Sequence, residues 1–300
     1  MKLDDKITEI FCSVDDFCKE IKKVIKNHSL TSGERTRERA FTMSESEVIT
    51  IMIYFHLGSF RNFKHYYIFY VQKHLQREFP KTVSYNRFVE LMRESLLPMV
   101  LYLKMTKMGK CTGISFIDST PLRVCHNRRI HSNKVFKGIA ERGQCSIGWF
   151  FGFKLHLIFN DKGEILNFVI TQGNVDDREP LKAGKIRKDM FGKLFGDKGY
   201  LSQTLFETLF IDGIQLITKI RNNMKNTLMN VNDKILLRKR AICETINDEL
   251  KNICQIEHSR HRSFTNFICN IISGLIAYSF LPKKPAIKCE FVKSNQLTLF

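Results

Sequence analysis

Nine cysteines are scattered along the chain without a single Cys-x-x-Cys pair, which excludes a zinc ribbon and a thioredoxin-type redox motif. An odd number of dispersed thiols fits a reducing cytosol better than a disulfide framework. The series Cys243, Cys254, His258, His261 has the spacing of no familiar zinc finger, and no metal is expected there. A run of about 20 apolar residues, the length a spanning helix needs, is also missing. The nearest approach, Phe267–Leu281, is interrupted by Asn270 and reads as a buried helix ended by Pro282. The opening segment MKLDDKITEIFC carries acidic residues and no long apolar core, so a signal peptide is not expected and the protein is read as soluble and cytoplasmic. Internal repeats and low-complexity segments are absent, and so is any Ser, Tyr or His nucleophile motif.

Acidic residues are scarce relative to basic ones. Lys and Arg number 48 against 30 Asp and Glu, giving a formal charge of +18 over 300 residues. Self-repulsion on that scale destabilises a compact state, and a polyanionic partner offsets it. Nucleic acid is the first candidate. An anionic membrane surface ranks below it, because no amphipathic anchor helix with Lys-rich flanks is evident. The 43% hydrophobic content supplies a packed core.

Residues 1–110 read as helical. Ser44-x-x-Glu47 is a capping-box signal opening onto Val48, Ile49, Ile51 and Met52. An aromatic and basic stretch from Phe60 to Phe79 is closed by Pro80, and Ser84 begins a helix over Tyr85–Glu94. Helix, turn and helix with basic residues is compatible with a DNA-binding helix-turn-helix. From Cys111 the pattern changes. A short apolar strand over 114–120 ends in Asp118 and a Thr-Pro turn, a basic loop spans Arg123–Gly143, and Phe151–Phe159 alternates with the period of a strand. Glu164–Thr171 returns as a further strand, and Asp176 or Asp177 suits the N-cap of a helix. Then follow a strand over Lys193–Asp197, a helix over Gln203–Phe210, a strand over Ile214–Ile220, and helices over Asp233–Ile256 and Phe264–Leu281. This order predicts an α/β fold with a mixed sheet and flanking helices. Residues 111–285 form the second expected domain, and 286–300 read as a tail.

Asp118 and Asp197 each follow a short apolar run, at the strand ends where open α/β sheets present ligands. A buried, unpaired carboxylate is costly there, and a divalent cation removes the cost. Either Asp alone would serve as an ordinary turn residue; the pair, in so basic a chain, points to a metal site. On an ideal helix Arg240, Glu244 and Lys251 fall within roughly 40° of one another. Two cations that could hold a phosphate backbone thus flank a third acid, although Arg240 and Glu244 could equally form a solvated ion pair. The basic loop with Arg128 and Arg129, together with Lys154 and His156 on the alternating strand, is expected to contact DNA backbone. Trp149, the only Trp, is either part of the core or a stacking platform for an unpaired base.

The strings IDSTPLRV, GWFFGFKLHLIFNDKGEI, TQGNVDDREPL, FGDKGYLS and RAICETINDELK resemble those of bacterial insertion-sequence transposases, most closely the insertion-sequence 982 family. The resemblance runs over essentially the whole chain and is most specific from Ile114 to Lys251. It implies a ribonuclease H-like catalytic domain in which Asp118, Asp197 and Glu244 are the catalytic acids and hold two Mg²⁺ ions, with Mn²⁺ able to substitute. It also implies that Arg240 and Lys251 match the Arg and Lys of a Tyr-Arg-Glu-Lys signature. Its Tyr would fall at Leu237, where this chain departs from the pattern. The expected partners are the terminal inverted repeats of its own element and target DNA, bound by a homodimer or higher oligomer. Rival readings are a nuclease of the same fold that does not join DNA and a DNA-binding protein without catalysis; the presence of all three acids weighs against the second.

Overall fold

The computed structural model describes residues 3–32, 42–184, 186–220, 228–257, 261–288 and 297–299. The chain forms two compact units, Met1–Lys107 with Leu250–Leu281 and Met108–Glu249 with Pro282–Phe300. Much of the expected tail, and His258, lie outside the described residues.

The first unit contains helices α1 (Leu3–Ser32), α2 (Glu45–Leu57), α3 (Tyr85–Glu94) and α4 (Leu96–Tyr102). The capping box forms as its sequence demands. The Glu47 amide donates to Ser44 Oγ at 3.2 Å, and the Ser44 amide donates to the Glu47 carboxylate at 2.6 Å. Ser44 thereby fixes the start of α2, which is buried on every side through Val48, Ile49, Ile51, Ile53 and Phe55. Ser84 caps α3 as expected, accepting from the Arg87 amide. The aromatic stretch winds as a π-helix over Tyr66–Val71 between two short α-helical turns, which buries Tyr66 and Tyr67 together. The C-terminal helix, predicted over Phe264–Leu281, is found at Phe264–Ser279 and packs on α2, α3 and α4. Its apolar faces have nowhere else to go, and Gly274 permits the closest approach: a Cβ there would stand 2.3 Å from the Ile256 side chain. Among the described residues no helix is long and apolar enough to cross a membrane.

The second unit is built on a mixed sheet of β1 (Ile114–Cys125), β2 (Glu141–Cys145), β3 (Gly148–Asn160), β4 (Ile165–Gln172), β5 (Gly192–Gly196) and β6 (Ile214–Thr218). Its order is β2-β3-β1-β5-β6, with β4 following β2 along the same edge of β3. β1, β3 and β4 are antiparallel neighbours, whereas β5 and β6 run parallel to β1. The crossover between β5 and β6 carries α5 (Gln203–Ile211). Three antiparallel strands followed by two parallel ones joined through a helix is the ribonuclease H-like arrangement.

Three local expectations are corrected. β1 does not stop at the Thr-Pro turn but continues to Cys125, with Pro121 paired opposite Lys154. Past Phe116 the strand has β3 on one side only, and a proline is tolerated where a strand has a free edge. The basic loop over Arg123–Gly143 is shorter than expected, because Glu141–Cys145 pairs with the start of β3. Finally, the long helix expected over Asp233–Ile256 is broken. An α-helix α6 (Val231–Arg238) leads through a 3₁₀ turn at Lys239–Ala241 into α7 (Ile242–Asp248), which ends in a π-helical turn at Glu249–Ile253. The uniform 100° step that grouped Arg240, Glu244 and Lys251 on one face therefore does not hold.

Candidate active site

β1 and β5 pair in parallel only over their first residues, from Ile114 opposite Lys193 to Phe116 opposite Phe195. Two residues further on, Asp118 and Asp197 stand level where the strands part. Asp197 is the first residue after β5, so its strand ends where the sequence placed it. Asp118 lies inside β1 rather than at its end, at the point where β5 no longer flanks it.

Arg240 comes to this point from the 3₁₀ turn ahead of α7. One guanidinium nitrogen donates to Asp118 Oδ1 at 2.7 Å, and the other stands 3.9 Å from Asp197. Seven residues later, from within α7, Asn247 Nδ2 donates to Asp118 Oδ2 at 2.8 Å. Both carboxylate oxygens of Asp118 are thus occupied, and its side chain is 21% exposed. Burial pushes the Asp118 carboxyl up to about 6. Arg240 and the Ser119 amide oppose that shift, and the negative charges of Asp197 and Asp177 add to it. Cys243 and Tyr200 are buried beside the same charges, and burial raises both.

Two polar atoms around Asp118 are buried without a hydrogen-bond partner: Arg240 Nε and Asn247 Oδ1. Two carboxylates that share one cation, with an unsatisfied amide oxygen beside them, form a hard-oxygen donor set that suits a small divalent cation. Glu244 does not join them. It is exposed, and among the described residues no hydrogen bond or ion pair reaches it. Nor do the described residues contain any group of three or more His, Cys, Asp or Glu side chains gathered as metal ligands.

The remaining expected site residues are dispersed. Arg128 and Arg129 are exposed on a 3₁₀ turn. Lys251 pairs with Glu257 at 3.2 Å. Lys154 and His156 are corrected: neither is presented for DNA contact. The Lys154 side chain is 13% exposed, and its ammonium bonds to Asp177 at 2.9 Å and to the Val175 carbonyl at 2.8 Å. His156 is fully buried, bonds to Thr171 Oγ1, and is held neutral by burial, which lowers its pKa to about 4. Trp149 is 61% exposed on β3, outside the core. Asp176 and Asp177 do not cap a long helix. Asp176 grips Arg178 in a tight turn, which holds its carboxyl well below the usual range, and Asp177 is the partner of Lys154.

Asn247 is the site residue that sequence reasoning missed. Its one signal was a position seven residues after Arg240, about two helical turns on the same face. An uncharged amide does not stand out in a search for acids and cations.

No curated protein matches the chain. Among solved structures the chain is similar to a piggyBac transposase synaptic complex with hairpin DNA, determined by cryo-EM. That similarity has 10% identity and a TM-score of 0.45, and covers 90% of this chain and 72% of the other. Residues 108–264, just over half of the 300, match the transposase DDE domain family, and the chain belongs to that family.

Proposed function

We propose that the protein is a transposase of the insertion-sequence 982 family that cuts DNA at the ends of its own element and joins the freed ends to target DNA. The observation that carries the reading is the meeting of Asp118 and Asp197 at the parting of β1 and β5, bridged by Arg240. Both reactions are in-line displacements at phosphorus. In cleavage, water attacks the phosphodiester at the element end and a 3′-hydroxyl leaves. In joining, that 3′-hydroxyl attacks a target phosphodiester and displaces the target's own 3′-oxygen. Two Mg²⁺ ions, replaceable by Mn²⁺, would supply activation of the attacking oxygen and stabilisation of the leaving one.

Asp118 and Asp197 would hold these ions; Glu244, exposed and apart from them in this structure, would have to turn inward to serve as the third ligand. Arg240 and Asn247 keep the Asp118 carboxylate in one orientation. Arg240 also places positive charge where a scissile phosphate would sit, and Arg128, Arg129 and Lys251 supply backbone contacts. In this reading residues 1–110 recognise the terminal repeats, residues 111–285 carry the chemistry, and a homodimer or higher oligomer forms on paired ends in the cytoplasm.

The test is cleavage of duplex DNA bearing the sequences that flank the gene, with strand transfer assayed in the same reaction. Glu244→Gln should abolish both while folding and DNA binding persist, and Glu249→Gln should behave like wild type. Cleavage undiminished in excess chelator overturns the metal reading. Near-normal cleavage by Glu244→Gln beside a dead Asp248→Asn moves the third acid to Asp248. Cleavage without any joining would mark a nuclease of the same fold.

A further inference from the structure

The helical unit holds a pocket of about 810 Å³ that the chemistry above does not use. Its walls come from the turn into the aromatic stretch, from α3, and from the start of the C-terminal helix Phe264–Ser279. Four cations line it: Arg61, Lys64, Arg93 and Arg262. Among the described residues none of the four is ion-paired; Arg93 donates only to the neutral Asn266 amide, at 3.4 Å. The one acid on the wall, Glu90, is bonded to Arg87 at 2.7 Å, so its charge is already matched. Lys64 stands 5.7 Å from the Tyr85 ring centroid. Arg262 lies close enough to Tyr85 to oppose the rise that burial imposes on its hydroxyl. Cations from separated parts of the chain thus face one concavity, with amides and an aromatic plane between them.

We propose that this pocket grips the phosphodiester backbone of DNA, seating phosphates against Arg61, Lys64, Arg93 and Arg262 with a sugar or base against Tyr85. Four like charges without counterions repel one another, and a polyanion is the partner that removes the repulsion. The pocket is large for a lone phosphate and has the size of a site for a nucleotide-scale ligand. An aromatic wall beside cations is the pattern that nucleic-acid backbones with their bases meet. The inference rests on the transposase reading for its choice of DNA. It assigns contacts to residues 261–266 as well as to the first hundred.

The experiment measures binding of the full chain to two labelled duplexes, one carrying the DNA that flanks the gene and one of shuffled sequence, across a salt series. Arg61→Gln, Lys64→Gln and Arg262→Gln should each flatten the slope of log K against log salt by about 1, and the triple variant by about 3, equally on both duplexes. Lys81→Gln, an exposed charge outside the pocket, should leave the slope unchanged. Should the triple variant fold poorly, the pair Arg262→Lys and Arg262→Gln decides: only the second should lose slope. A triple variant with wild-type slope and affinity overturns the proposal. So does loss of polyglutamate binding in that variant while DNA binding is unchanged, since the pocket would then belong to an acidic protein. Wild-type cleavage of the flanking duplex in Mg²⁺ is followed in parallel. Its absence, with pocket-dependent binding intact, sinks the transposase reading and leaves the pocket standing.

Discussion

Asn247 and Arg240 together saturate the two oxygens of Asp118, so the orientation of one buried carboxylate depends on two neighbours from a single helical segment. Asp118 must be ionised to hold a cation, and its carboxyl titrates at about 6. Cleavage should therefore fall as pH drops through about 6. Removing the Asn247 donor takes away a bond to the charged form and raises the carboxyl further. Asn247→Ala is accordingly expected to shift the acidic limb of the cleavage profile to higher pH, with partial recovery at alkaline pH. A uniform loss across pH would assign Asn247 a purely structural part. His56 gives the opposite kind of pH dependence. It is fully buried, bonded to Ser273 at 2.9 Å, and burial lowers its pKa to about 4. The unfolded chain takes up that proton below about 6.5 while the folded one refuses it, so stability is lost as pH falls from about 6.5 toward 4. For a shift of this size the loss is on the order of 3 kcal/mol. Urea titrations at neutral pH and near pH 4.5 would measure it, and His56→Gln should reduce the difference between them.

At the scale of elements, legibility followed chemistry that acts locally. The capping box at Ser44, the cap at Ser84, the alternation of Phe151–Phe159 and the strand leading to Asp197 were all readable, because each is decided by neighbours within a few residues. The break between α6 and α7 was not. Residues 239–253 contain neither Pro nor Gly, so nothing in the local sequence announces the 3₁₀ and π turns that re-aim Arg240 and Asn247. The Thr-Pro turn misled for a related reason: whether a proline ends a strand depends on which strands flank it. His156 was misread because the alternating strand has β1 and β4 on its two sides, and its faces are covered. A packing contact of the same non-local kind sets the next prediction. Gly274 faces Ile256, and a Cβ there would meet its methyl at 2.3 Å. Gly274→Ala gains helix propensity of about 1 kcal/mol but overpacks, at about 1–3 kcal/mol. The net effect expected is a lower melting temperature, and the added loss should shrink in an Ile256→Ala background, which removes the γ-methyl that the new Cβ would meet. An unchanged or raised melting temperature would show that Ile256 gives way freely.

At the scale of the whole molecule, the chain leaves the helical unit at Lys107 and returns to it at Leu250. The sequence suggested a simpler division near residue 110, because the apolar helix 264–279 carries no sign of which partner it buries against. In the structure that helix packs on α2, whose residues Val48 to Phe55 are buried around the whole circumference. A fragment of residues 1–110 would leave α2 with one face bare. Its loss can be sized: each fully buried Leu, Ile, Phe or Met side chain contributes about 1.5–3 kcal/mol, and Phe267, Ile271, Ile272, Leu275 and Ile276 are all buried. A deficit of that size approaches the entire stability of an ordinary domain, about 5–15 kcal/mol. Residues 1–110 made alone are therefore expected to show helical circular dichroism without a cooperative melt, and to associate. Joining residues 1–107 to 250–281 through a flexible linker should restore a single cooperative transition and a monomer. A cooperative melt from 1–110 alone would mean that the returning segment is dispensable to the helical unit.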